Sequence, residues 1–438
     1  MGRRYVFWRT PKGTASKGAG DQYSPRELLA KVGTSWHVDQ HGQLTSSAGL
    51  FPLRLETVVR SSLVVLDPKN QELNQVDTAG IVDAAIRSLI KQSGGGTPIQ
   101  PGELIAAADR EAAKYFRRPS QQFLLVTTLS VAQLPFRRIR VLDCEVEPLK
   151  DRERYQVPSA VRKQLTWRRA ARQMSAANYQ GVVARTAGRT PYEAAERALA
   201  ALNLARGFWT LFATRGAWSL RFGIGREAPL GVVHLGAIHT LHSPDGSPVE
   251  DIFWYEPDFP EGRPLFNPPQ GWGDIEKNRR WAMRRVASLP YGSDLEDLIQ
   301  RYAVALDQTN LSLAFLQMWA ILEKLSNTIG ASYDETLDRV SWIFADRRLV
   351  RGLAQSLRCL RNRFVHKAVD SQERDQIAYI TKDLVEPHLI ALLRNDYDIS
   401  SLQEYGEFLS LPTSSDVLER RIRHYRRAVQ EIRKRDAK

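Results

Sequence analysis

Apolar positions along this chain follow two different periods. After about residue 291 they recur at steps of three and four, the spacing of one helix face. Leu313, Leu316, Met318, Trp319, Leu322 and Leu325 form a broad stripe that predicts a helix over 310–328, with Glu323 and Lys324 off it. Leu349, Leu353, Leu357, Leu360 and Phe364 define a second face, and Ile377, Ile380, Leu384, Val385 and Leu392 a third. That third helix spans 372–393 and contains Pro387, which predicts a kink. A fourth helix is expected over 294–306 with Ser293 as its N-cap.

Before that point the pattern is mixed. Short runs rich in β-branched and aromatic residues predict strands over 57–66, 123–131, 139–146, 179–185, 231–241 and 252–255. Helices are expected between them, over 78–92 and 102–116. A further helix begins at Thr190-Pro191-Tyr192-Glu193, a capping box with proline in the first turn, and runs to about Phe212. A loop rich in Pro and Gly over 258–273 leads into a helix over 274–289, and the domain boundary is expected near Pro290-Tyr291-Gly292.

Composition narrows the function classes. At 438 residues the chain is long enough for two or more domains. A formal net charge of +13 attracts polyanions, which favours a nucleic-acid partner. Cys144 and Cys359 have no metal-ligand spacing, and no apolar run reaches the length of a membrane span. The opening Met1-Gly2-Arg3-Arg4 has no signal-peptide core after it, so the expectation is a cytoplasmic protein with no membrane partner. Gly94-Gly95-Gly96-Thr97-Pro98 lacks the Lys-Ser or Lys-Thr pair of a phosphate-cradling loop, so no nucleotide cofactor is expected. His234, His239 and His242 invite a metal reading. Strand alternation puts His239 on the face opposite the other two, and Asp245 belongs to a Ser243-Pro244-Asp245-Gly246 turn; no metal is expected.

Two basic stretches are candidate nucleic-acid contacts. Arg168 and Arg169 follow Trp167, a mixture of cations and an aromatic that suits single strands. Near the C-terminus a helix from about Asp416 carries Leu418, Ile422, Tyr425, Val429 and Ile432 as a heptad-like seam. Arg420, Arg421, Arg423, Arg426 and Arg427 crowd its other sides. That helix is expected either to grip RNA or to dock by its seam on the body or on a partner.

The densest chemistry lies in Leu360-Arg361-Asn362-Arg363-Phe364-Val365-His366. Asn362 and His366 are one helical step of four apart, so the amide can fix the imidazole tautomer. Arg361 lies about 140° around the helix from His366, by about 100° per residue. A second chain is one way to complete the geometry.

This element, together with Trp319-Ala320-Ile321-Leu322-Glu323-Lys324-Leu325 some 35 residues earlier, resembles the HEPN superfamily (higher-eukaryote and prokaryote nucleotide-binding domains), and within it the Apea-like branch, over about 291–397. The resemblance implies an all-α bundle over 291–397; with the strand and helix patterns before it and the basic helix after it, the expectation is an α+β protein with a mixed α/β N-terminal domain over 1–290 and a basic helical tail over 398–438. It also implies a homodimer and a metal-independent endoribonuclease, often a toxin or antiviral defence effector, with a regulatory partner protein possible. Arg361 and His366 then occupy the catalytic positions and Asn362 the polar position after the Arg, while Arg363 and Lys367 join the RNA contacts. Ala368 stands where one branch of these toxins carries a tyrosine that is modified to silence it. The competing expectation is an inactive HEPN module that binds RNA or a protein, or a scaffold that only dimerises.

Overall fold

A computed structural model describes residues 4–8, 25–39, 43–46, 59–68, 72–151, 154–155, 179–214, 230–256, 259, 265–367 and 374–436. Helices and antiparallel sheets are both present, an α+β chain. It divides into two compact units. One comprises Met1–Leu125, Arg185–Ala198 and Leu241–Val249, the other Val126–Ala184, Leu199–Thr240 and Glu250–Lys438.

In the first unit β1 (Val6–Trp8) pairs antiparallel with β4 (Leu63–Val65), and β2 (Trp36–Val38) with β3 (Leu44–Ser46). Helix α1 (Pro25–Ser35) precedes β2, and α2 (Gln75–Ser93) packs on α3 (Pro101–Arg117). Val6, Val65, Val82, Ile86, Leu104 and Ala108 make their shared core. Both helix starts are chemically marked. Asn74 accepts the N–H of Asp77 at 2.8 Å, and Pro101 opens α3 while Glu103 accepts the N–H of Gln100 at 3.0 Å. Gly94 closes α2 at φ 72°, a left-handed turn that favours glycine.

A buried polar knot ties these helices to the start of α4 (Pro191–Ala213). Thr190 donates to Asp77 at 2.9 Å, and Tyr115 donates to Asp77 at 3.0 Å and to Glu193 at 3.2 Å. Arg189 and Arg197 close on Glu193 at 2.9 and 2.7 Å. Burial first, then the carboxylates of Asp77 and Glu193, pushes the Tyr115 hydroxyl far up, so it stays a donor.

Six strands form one sheet in the order β10-β9-β5-β8-β7-β6, from β5 (Gln121–Leu129), β6 (Ile139–Val141), β7 (Cys144–Pro148), β8 (Gln180–Gly188), β9 (Ile238–His242) and β10 (Pro248–Tyr255). Three sequence expectations change here. The run 139–146 is a hairpin rather than a strand, because Leu142 turns at φ 51° and sets Ile139 opposite Val146. Among the described residues of the 57–66 run, 63–65 are strand and 59–61 are helical. Over 231–241 the strand begins at Ile238: His234 folds its ring back onto the Gly231 carbonyl at 2.7 Å, leaving only the Leu129–Leu235 bridge before it.

The second unit holds a helical bundle: α5 (Gly273–Ser288), α6 (Gly292–Asp307), α7 (Leu311–Leu325), α8 (Tyr333–Val340), α9 (Arg347–Lys367), α10 (Arg374–Arg394) and α11 (Leu402–Leu409). Helix α7 packs against both α6 and α10, burying Phe315, Met318, Trp319 and Leu322 among Leu295, Leu298, Ile299, Val385 and Leu389. Asn310 caps α7 by accepting the N–H groups of Ser312 and Leu313 at 3.0 and 3.3 Å. Ser293 is not a cap. The helix it was expected to start begins two residues earlier, with Tyr291 at the N-cap position, whose hydroxyl donates to the Leu392 carbonyl at 2.8 Å. The side chain of α4 is absent at Gly207, where a Cβ would lie 2.7 Å from Ile299 Cγ2, so α4 and α6 approach closely. The last helix, α12 (Ser415–Asp436), has no buried residue.

Candidate functional site

Helix α9 runs unbroken from Arg347 to Lys367, so Arg361, Asn362, Arg363, His366 and Lys367 all fall on its last two turns. Its start is fixed chemically. Asp346 accepts the N–H of Leu349 at 3.0 Å, and Asp338 of α8 meets Arg351 at 2.7 Å and Arg347 at 3.6 Å. Ala354 and Leu357 are each 1% exposed, whereas Leu349 is 60% and Leu353 40% exposed. The apolar face read from 349, 353 and 357 is therefore only partly the buried one, and the packing face is turned toward Ala354. The side chains of residues 358–367 lie outside the described residues, as do Arg168 and Arg169 entirely.

The bundle also carries buried polar groups that sequence reading missed. Glu386 of α10 receives the buried Tyr302 hydroxyl, the Thr214 hydroxyl at 3.1 Å and Lys382 Nζ at 3.6 Å. Burial, reinforced by Glu386, pushes Tyr302 well up and keeps it protonated. His388, two residues beyond Glu386 in α10, is fully buried. Its Nε2 faces the Val340 carbonyl at 2.9 Å and its Nδ1 the Tyr405 hydroxyl at 2.7 Å. A carbonyl only accepts, so a neutral ring donates from Nε2 and accepts the Tyr405 O–H at Nδ1. Burial lowers this histidine to about 4 despite the Val340 bond, so the ring is neutral near pH 7. No sequence signal marks it, because both partners are distant in the chain.

The histidines considered for a metal are each committed elsewhere. His234 reaches Asp307 at 2.6 Å, where Arg206 also closes an ion pair. Burial would raise Asp307, but Arg206 and His234 outweigh it and hold the carboxyl below its ordinary value. His239 meets the Thr127 hydroxyl at 2.7 Å and His242 the Gly246 carbonyl at 3.0 Å. The Ser243–Gly246 turn closes by the Gly246 N–H donating to the Ser243 carbonyl at 2.9 Å. Glu323, off the apolar stripe of α7, accepts the Trp319 indole N–H at 2.8 Å.

The other predicted cations, Arg420, Arg421, Arg423, Arg426 and Arg427, stand on α12 and are exposed to solvent. The expected docking of this helix on the body of the chain is corrected: Ile422, Tyr425, Val429 and Ile432 remain 46, 66, 45 and 51% exposed. No helix among the described residues is long and apolar enough to cross a membrane. Comparison of the chain with protein-family models, with curated proteins and with solved structures gave no match.

Proposed function

We propose that this chain is a metal-independent endoribonuclease of HEPN type, acting as a toxin or antiviral effector in the cytoplasm. The observation that carries the reading is the placement of Arg361 and His366 near the end of one continuous helix, α9, that packs on α8 and α10 within an all-helical bundle. The net charge of +13 suits an RNA substrate.

The chemistry follows from the side chains. Imidazole exchanges a proton near neutral pH, which fits His366 to take the proton of a ribose 2'-hydroxyl or to protonate the leaving 5'-oxygen. The Arg361 guanidinium stays charged and offers a fork of donors to the phosphate as negative charge builds in the phosphorane. Asn362 orients the imidazole, and Arg363 and Lys367 hold flanking phosphates. The products are a 2',3'-cyclic phosphate and a 5'-hydroxyl, and DNA, lacking the attacking hydroxyl, is left intact. Because Arg361 and His366 lie about 140° apart on the helix, the complete site is that of a homodimer in which two copies of α9 meet.

The test is incubation of the purified chain with labelled RNA and EDTA. Cleavage that persists with chelator and disappears in His366→Ala sustains the reading. RNA binding without cleavage, unchanged by His366→Ala, replaces it with a binding module.

A further inference from the structure

The terminal helix α12 joins two properties that rarely remain together on a free surface. It is 22 residues long with none of them buried, yet it carries an unbroken apolar seam. Leu418, Ile422, Tyr425, Val429 and Ile432 succeed one another at steps of four and three. In heptad terms Ile422 and Val429 are a positions, and Leu418, Tyr425 and Ile432 are d positions. Helix α12 is about 33 Å long at 1.5 Å per residue, so the seam presents a straight stripe to a second helix.

The flanks of the seam decide what covers it. The e and g positions hold Arg421, Arg426, Arg433 and Arg435, with Glu419 and Ala428 completing the set. The ion pairs within α12 are Glu419 with Arg423 at 4.0 Å and Glu431 with Lys434 at 2.8 Å, and neither engages those four arginines. A second copy of α12 in parallel register sets Arg421 against Arg426, and antiparallel pairing again sets arginine against arginine, so self-pairing is repelled. Two of the longer stretches outside the structural description offer little acidic cover. Among the residues outside the structural description, 156–178 contains Arg162, Lys163, Arg168, Arg169 and Arg172 with no Asp or Glu, and 215–229 contains Arg215, Arg221, Arg226 and the lone Glu227. An RNA strand would neutralise the arginines and leave the aliphatic seam wet. A bilayer surface calls for a broad apolar face with Trp, Phe or Leu, whereas this stripe is two positions wide and walled by arginine on both sides.

We propose that α12 is a docking helix for an acidic amphipathic helix of a partner protein, one with apolar a and d positions and Glu or Asp at e and g. Ile422 and Val429 insert between the partner's apolar side chains, and Arg421, Arg426, Arg433 and Arg435 pair with its acidic flanks. Arg420, Arg423, Arg427 and Lys434 lie on the outward side and stay free while the seam is covered. The inference stands on the exposed seam and its charge pattern, independent of RNA cleavage.

The experiment uses the full chain and three dye-labelled synthetic peptides of three heptads each, with Ile at a, Leu at d, and Glu, Gln or Lys at every e and g. Fluorescence anisotropy is expected to show the Glu-flanked peptide binding about tenfold tighter than the Gln-flanked one, from the summed ion pairs. The double variant Ile422→Ser/Val429→Ser should weaken that binding at least about tenfold with the melting temperature unchanged, since neither residue is buried. Reversing the flanks with Arg421→Glu/Arg426→Glu/Arg433→Glu/Arg435→Glu should switch preference to the Lys-flanked peptide. The proposal is overturned if the three peptides bind alike, or if the seam variant retains full binding of the Glu-flanked peptide. It is also overturned if the seam variant instead abolishes self-association in sedimentation equilibrium, capture of phosphatidylserine vesicles, or binding of single-stranded RNA.

Discussion

Two helices of this chain are close to interchangeable on paper. Helix α9 has 21 residues and α12 has 22, both are dense in arginine, and both alternate apolar and charged positions at helical spacing. Their surroundings differ completely. Helix α9 buries Ala354 and Leu357 against its neighbours and is clamped at its start by Asp338, while α12 buries nothing. Amphipathicity therefore reports a demand for cover without saying where the cover comes from. For α9 it is α8 and α10; for α12 it lies outside the described chain.

The sharpest way to separate the two helices is catalytic. Arg361→Ala or His366→Ala in α9 should slow RNA cleavage about a thousandfold, the scale of a lost acid–base group or charge clamp. Labelled RNA in EDTA gives the rates, and a change under about threefold in both variants would remove these residues from the chemistry. Stability separates the helices next. Leu357→Ala should cost about 3 kcal/mol in urea unfolding, through lost burial and the cavity it leaves. Equal costs for Leu357→Ala and Ile422→Ala would break the comparison, since Ile422→Ala is expected to stay within about 0.5 kcal/mol.

Acid should act on the bundle through His388. Above pH 6.5 the ring is neutral in both folded and unfolded chains. As pH falls from about 6.5 toward 4, the unfolded chain binds a proton that the folded ring refuses, so stability drops. The loss approaches about 3 kcal/mol near pH 4. His388→Asn keeps a donor and an acceptor but cannot titrate, and it should flatten this component of a pH series of urea melts. A slope equal to that of the unmodified chain would mean that His388 carries no linkage. A smaller loss of about 2 kcal/mol is expected for Tyr302→Phe, which removes a buried donor from Glu386. An unchanged urea midpoint would show that Thr214 and Lys382 satisfy that carboxylate by themselves.

Much of the helical framework was readable because its signals are local. Thr190 does accept the Glu193 N–H at 3.1 Å, although the Glu193 carboxylate returns to the Arg189 N–H at 2.6 Å rather than to Thr190, one residue off an ideal capping box. Asn310 caps α7, and α2 and α3 lie within a few residues of their expected ends. The misreadings are non-local or conformational. Nothing in the composition of 139–146 announces a left-handed Leu142, and the short helices α8 and α11, with 8 residues each, hold too few turns to display a period. The candidate site was legible as a spacing: four residues between Arg361 and His366 on one helix. The cluster of Glu386, Tyr302 and Thr214 elsewhere in the bundle was not legible, since it is drawn from three distant segments.

The order of side chains alone determined the helical and extended stretches, the positive field and the positions where reactive groups share a helix, because each depends on neighbours within a turn or two. The tertiary structure decided which faces are dry. It turned α9 onto Ala354 and Leu357, sealed His388 under Val340 and Tyr405, and left the seam of α12 in water. Burial needs an opposing surface, and that surface is supplied by residues far away in the chain or by another molecule altogether.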